Sequence, residues 1–173
     1  RVPHKVTMYQ DTDNTDLIDK VYWITPHLSN ETFEIIIVAT DAIHLESNYS
    51  FISNIYENIK DLDGNWSEPI YHDEYVRVTF ANNLTNENDI TIYTRNLNQT
   101  NTTVEVYYFN TSIKITEFPV LIEENYSKIL LTDINGSYDT FDLRINNLEN
   151  DSDAYLEFDW IVDPAIVVIN GGN

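Results

Sequence analysis

The chain has 173 residues, 42% of them hydrophobic, and carries 29 acidic against nine basic side chains for a formal net charge of −20. That length fits one domain able to bury roughly two-thirds of its unfolded surface, and the nine cations (Arg1, Lys5, Lys20, Lys60, Arg77, Arg95, Lys114, Lys128 and Arg144) stand singly, which argues against nucleic acid and anionic membrane as partners. No cysteine is present for a disulfide or a thiolate metal site, and no apolar run reaches the ~18 to 20 residues of a membrane span, so direct membrane insertion is not expected.

In chain order, "KVTMYQ" reads as a first strand. The segment "DTDNTDLID" then gathers Asp11, Asp13 and Asp16, oxygen ligands of the type calcium takes. It departs from the EF-hand pattern, because Thr15 holds the fifth loop place and no glycine follows at the sixth. An Asx-rich turn is the default expectation, with calcium the one metal these residues would suit. "KVYWIT" is a second strand, and "FEIIIVAT" is a continuous apolar run of the kind found at the centre of a sheet.

In "SNYSFISNIYENIKDLDG", Phe51, Ile52, Ile55, Tyr56 and Ile59 recur with the helical period, Ser47 or Asn48 is available as N-cap, and Gly64 follows the end. One amphipathic helix is therefore expected. Period-two alternation then takes over. Val76, Val78 and Phe80 share a face in "EYVRVTF", as do Ile90 with Ile92, Val104 with Val106 and Tyr108, and Phe141 with Leu143 and Ile145. "SIKITEF" and "SKILLTD" are further candidates, and "YLEFDWIVD" puts Leu156, Phe158, Trp160 and Val162 on one side with Tyr155, Glu157 and Asp159 on the other. Asn, Asp, Gly and Ser clusters fill the gaps, as turn chemistry requires. The pattern predicts an all-β, jelly-roll-like antiparallel sandwich with one short helix, forming a single domain over residues 1–173.

The strongest single signal is the acceptor pattern for N-glycosylation. Ten Asn-x-Ser/Thr sites occur, at Asn30, Asn48, Asn65, Asn83, Asn98, Asn101, Asn110, Asn125, Asn135 and Asn150. The chain's own Asn, Ser and Thr content would place about three by chance. Outside residues 98–110 the sites recur every ~10 to 18 residues, as though each exposed turn had been given one. Glycosylation in an extracytoplasmic compartment, with sugars solubilising and shielding the surface, is the expectation, and N-linked glycans are the only covalent groups the chain calls for. The start, "RVPHKVTMYQ", lacks signal-peptide regions, so an exported protein would be in its mature form here.

The segments "FEIIIVATDAIHLESNYSFISNIYENIKDLDGNWSEPI", "EYVRVTFANNLTNENDITIY", "LTDINGSYDTFDLRI" and "LEFDWIVDP" resemble a β-sandwich module that recurs in predicted secreted and cell-surface proteins of archaea. The resemblance covers about residues 4 to 164, with "DLDGNWSE", "NDITIY", "NGSYDTFDLRI" and the closing "FDWIVDP" its most specific pieces. It implies an archaeal extracellular structural module with no defined active site. The chain departs from that pattern in its larger number of sequons and in continuing past Pro164 as "AIVVINGGN".

Ala165, Ile166, Val167, Val168 and Ile169 form an apolar, β-prone run that water would leave prone to aggregation. It either completes the domain's own sheet or, like the N-terminal "HKVTMY", adds to the sheet of a neighbouring copy, a head-to-tail contact that builds a filament. Catalysis is not expected: His4, His27, His44 and His72 stand apart with no metal-binding or nucleophilic spacing. Two functions from different classes result. One is a glycosylated structural subunit of a cell-surface homopolymer, pilus-like in build. The other is a carbohydrate-binding or adhesin module, for which Trp66, Tyr71 and Tyr75 are the candidate ring platform.

Overall fold

The computed structural model describes the backbone of residues 6–10, 20–23 and 35–165 and the side chains of residues 36–163. The chain divides into two units, Arg1–Thr32 and Phe33–Asn173. In the first, β1 (Val6–Gln10) and β2 (Lys20–Trp23) form an antiparallel pair with Tyr9 opposite Val21 and Gln10 opposite Lys20. The strands expected from "KVTMYQ" and "KVYWIT" thus pair with each other. Asp11, Asp13 and Asp16 lie outside the described residues, as do Ile166, Val167, Val168 and Ile169.

The second unit is built from β3 (Ile35–Leu45), β4 (Phe51–Asn54), β5 (Ile70–Tyr71), β6 (Tyr75–Leu84), β7 (Asp89–Arg95), β8 (Thr102–Tyr108), β9 (Lys114–Glu117), β10 (Asn125–Leu130), β11 (Tyr138–Asn147) and β12 (Tyr155–Ala165). All are antiparallel, in the order β10-β7-β12-β3-β6-β11-β8-β9, with β4 on β3 and β5 on β12. The long apolar run is central, as its composition predicts. The first part of β3 pairs with β12, where Val38 faces Val162, and the second part with β6, where Ala42 faces Val78. One strand therefore belongs to both layers. Ala165 ends β12 opposite Ile35.

Between the layers lies one core. Val76, Val78 and Phe80 from β6, Phe141, Leu143 and Ile145 from β11, and Val104 and Val106 from β8 enter it from one side. Ile90, Ile92, Leu156 and Phe158 enter from the other, and Phe80 meets Phe141 edge-on with ring centroids 6.1 Å apart. These are the faces that alternation assigns.

Two local expectations are corrected. The helix is a single turn, α1 (Tyr56–Ile59), and the residues before it form β4, which pairs with the end of β3 through Ser53 opposite His44. The proposed caps Ser47 and Asn48 instead sit in the β3–β4 turn, where Tyr49 takes φ 67° and its N–H bonds the Glu46 carbonyl at 2.8 Å. A sheet edge offered Phe51–Asn54 more backbone partners than one more helical turn could. Of the helical pattern Ile55 and Ile59 enter the core and Tyr56 packs against it, whereas Phe51 is 64% exposed.

The second correction concerns β12. Phe158 faces Thr94 and Trp160 faces Tyr93, so Asp159 is an extra residue with no opposite number, a β-bulge. Downstream of it the faces exchange. Leu156, Phe158 and Ile161 point into the core, whereas Trp160, expected beside Phe158, lies on the outer face in contact with the Tyr126 ring.

On the outer face of β6, β11 and β8 the charges are paired rather than loosely solvated. The Arg77 guanidinium donates to fully buried Asp142 at 2.7 and 3.0 Å, and its carbon lies 4.4 Å from the Phe109 ring centroid. Arg144 bridges Glu105 at 3.0 Å and Asp73. Each of Lys60, Arg77, Arg95, Lys114, Lys128 and Arg144, the cations among the described side chains, has a carboxylate partner.

Candidate functional site

Sequon positions can be judged against the fold. All nine acceptor asparagines among the described residues, Asn48, Asn65, Asn83, Asn98, Asn101, Asn110, Asn125, Asn135 and Asn150, are exposed. Seven lie in loops and turns between strands; Asn83 and Asn125 lie at the ends of β6 and β10. By contrast, Asn96 and Asn147, which begin no sequon, are buried and bonded, the Asn96 amide donating to the carbonyls of Thr100 and Leu121 at 2.7 Å. The two buried asparagines among the described residues thus lack the acceptor pattern, and the nine that carry it face water.

Turn geometry explains part of this. Asn110 and Asn150 have φ of 56° and 54°, the left-handed region that Asn tolerates better than most residues. Asn98 donates to the Asp153 carbonyl at 3.0 Å and Asn101 to Glu149 at 2.7 Å. Each amide keeps one N–H after a sugar replaces the other, so these bonds are compatible with glycosylation.

A groove of about 250 Å³ opens on the outer face of β7, β12 and β10, lined by Leu62, Gly64, Trp66, Tyr93, Glu124, Tyr126 and Asp159. Its rings form a ladder, Trp66 to Tyr93 at 5.3 Å and Tyr93 to Tyr126 at 4.4 Å between centroids. Arg95, paired with Glu157, lies 4.5 Å from the Trp66 ring centroid. The Tyr93 hydroxyl donates to Glu124, and that hydrogen bond pushes the phenol up to about 12. Asp159, the bulged residue, turns its carboxylate to the loop above and accepts the Gly64 N–H at 2.9 Å. Tilted aromatic rings beside carboxylate acceptors can hold a sugar, with apolar C–H faces on the rings and hydroxyls on the oxygens.

Burial pushes the carboxyls of Asp159 and Asp163 up, against the pull of the backbone N–H groups of Gly64 and Asp89 respectively. Glu68 is held below its usual range by the Ser53 hydroxyl and then His44. Burial raises Glu105, but the Tyr107 hydroxyl and Lys114 outweigh it and leave it low. A raised carboxyl is protonated first in the folded state, so acidification from neutrality stabilises the fold through Asp159 and Asp163. Below the ordinary carboxylate value near ~4 that gain is complete, and protonation of Glu68 and Glu105 then removes stability. Denaturation midpoints followed against pH should therefore rise on mild acidification and fall in strong acid. Asp159→Asn should flatten the rise, and an unchanged profile in that variant would refute the assignment.

Trp66, Tyr71 and Tyr75 do not form one platform. Tyr71 packs on Tyr155 at 5.6 Å and Tyr75 stacks on Tyr49 at 4.7 Å, while Trp66 alone belongs to the groove. His44 is buried between Glu68 at 2.7 Å and Glu74 at 2.9 Å, and His72 accepts the Asn147 N–H at 3.0 Å, both structural arrangements. His4 and His27 lie outside the described residues. Among the described residues no three His, Asp or Glu side chains are placed to hold a metal, and no helix is long and apolar enough to cross a membrane.

Comparison with family models, with characterised proteins and with solved structures yields no match to the chain. What the fold itself defines is an all-β antiparallel protein with one short helix.

Proposed function

We propose that the chain is a heavily N-glycosylated extracellular structural subunit of an archaeal surface assembly, a filament whose copies are joined by strand exchange. The observation that carries this reading is the exposure of every described sequon asparagine, set against the burial of Asn96 and Asn147. A coat of neutral sugar over an acidic surface keeps an exported protein soluble. The described cations are all engaged by carboxylates, which leaves none of them to bind phosphate.

Strand exchange needs a free backbone edge and a strand to fill it. Among the described residues β9 and β10 end the sheet path with one edge each, and the run from Ala165 onward supplies an apolar, β-prone candidate donor. Negative-stain imaging of the native material should show filaments of fixed axial repeat, and deleting residues 165–173 should leave soluble monomers. Filaments that persist in this deletion and in a second lacking the N-terminal strand would refute strand exchange.

The aromatic groove favours a second reading, a carbohydrate-binding module. It predicts retention on a glycan array that Trp66→Ala abolishes without unfolding; an array without hits counts against it.

A further inference from the structure

The edge strand β10 exposes its backbone in a defined register. One residue beyond the pair Leu130 and Asp89, the Leu131 N–H bonds the Asn88 carbonyl at 3.0 Å. Bonded and non-bonded pairs alternate along an antiparallel ladder, so Asn125, Ser127 and Ile129 bond β7. Tyr126, Lys128 and Leu130 therefore turn their N–H and C=O groups away from β7, to the side on which no described strand pairs. We propose that this side of β10 is the acceptor edge of the strand exchange, and that it takes Ile166, Val167, Val168 and Ile169 of a second copy.

The other end of the sheet path is a poorer acceptor. β9 has four residues, a register shift between its partners Val106 and Tyr107, and exposed charges at both ends, Lys114 and Glu117. Shortness, bulges and charge are the devices that blunt an edge. β10 has six residues in unbroken register, and its one cation, Lys128, is drawn back over β7 by Asp89 at 2.6 Å. Asn125, the sequon asparagine that opens β10, has its side chain on the face opposite Tyr126, so a sugar there is attached before the outward-facing stretch begins.

The character of the edge matches this occupant. A strand seated on it sets alternate side chains beside Tyr126 and Leu130, 45% and 52% exposed, and the others beside Ile129, which packs against the core. A donor with both rows so covered should be apolar at successive positions, as Ile166 to Ile169 are. The same copy cannot supply them. Ala165 ends β12, and the vacant place beyond β10 lies three strand spacings from β12, about 14 Å. At ~3.3 Å per residue the crossing alone uses about four residues, the run itself.

The assignment rests on strand exchange as the mode of assembly, and the test separates the two. The chain has no cysteine, so introduced thiols report only chosen contacts. Protein carrying Leu130→Cys is assembled and oxidised in turn with Ile166→Cys, Val167→Cys, Val168→Cys and Ile169→Cys protein. Disulfide-linked dimers are expected at alternate tail positions, those whose side chains share the face of Leu130, and none when Glu117→Cys on β9 replaces Leu130→Cys. In a second arm, Leu130→Pro removes one outward N–H and spares the ladder to β7. It should keep the parent's circular dichroism and lose assembly. Cross-links to Glu117→Cys in place of Leu130→Cys, or full assembly of a folded Leu130→Pro variant, in filaments that still require residues 165–173, would overturn the assignment and leave strand exchange standing. Dimers of Leu130→Cys protein alone, formed as readily without a tail thiol, would show two β10 edges paired with each other and overturn it too. Filaments that persist without residues 165–173 would remove this donor, and the assignment with it.

Discussion

Asp142→Ala is expected to cost about 3 to 5 kcal/mol of stability, the penalty for removing one partner of a buried ion pair. Asp142 is fully buried, and its carboxylate accepts three hydrogen bonds, two from Arg77 and one from the Asn110 N–H at 2.7 Å. Truncation leaves the mostly buried Arg77 charge without its counter-ion and frees the β8–β9 turn, in which Asn110 holds φ 56°. The rings of Phe109 and Tyr49, within 4.4 and 5.5 Å of the guanidinium carbon, recover only part of this. Urea denaturation should show a lower midpoint at unchanged slope, and the melting temperature should fall by on the order of 10 °C. A loss below about 1 kcal/mol, the scale of an exposed pair, would mean that the outer face of this sheet is wet.

Phe158→Ala should cost a similar amount, about 3 to 5 kcal/mol, because the side chain is fully buried between the layers and its removal leaves a cavity. Its value as a test lies in comparison with Ile161→Ala. With simple alternation through "YLEFDWIVD" Ile161 would face outward. With the bulge at Asp159 it shares the core with Phe158, and its truncation should cost about 2 to 5 kcal/mol. An Ile161→Ala variant within about 0.5 kcal/mol of the parent would remove the bulge from the account.

Strands were legible wherever one face is buried and the other polar, since period two then has a single interpretation; β6 and β11 are such cases. The short helix was legible but its start was not, because Phe51 and Ile52 fit a helical period with Ile55 and Ile59 while the end of β3 offered an edge, and pairing partners distant in sequence decided the matter. No local signal could place the bulge, because Asp159 is extra only in relation to Tyr93 and Thr94 on β7. For the same reason the groove was invisible: residues 62–66, 93, 124–126 and 159 come from four separate segments. Asp142 carries no local sign of burial, which depends on Arg77 and on the turn at Asn110. Sequon exposure was legible in advance because acceptor asparagines fall where Asn-rich turn chemistry also falls, so one set of residues carries both signals.

The central claim is that these exposed asparagines carry sugar, and the most direct measurement is glycopeptide mass spectrometry of the protein from its natural source. The account predicts glycan at most of the nine described sites, including both members of the closely spaced pair Asn98 and Asn101, and no modification at Asn96 or Asn147. Recovery of the intact chain with bare asparagine at all nine would contradict it.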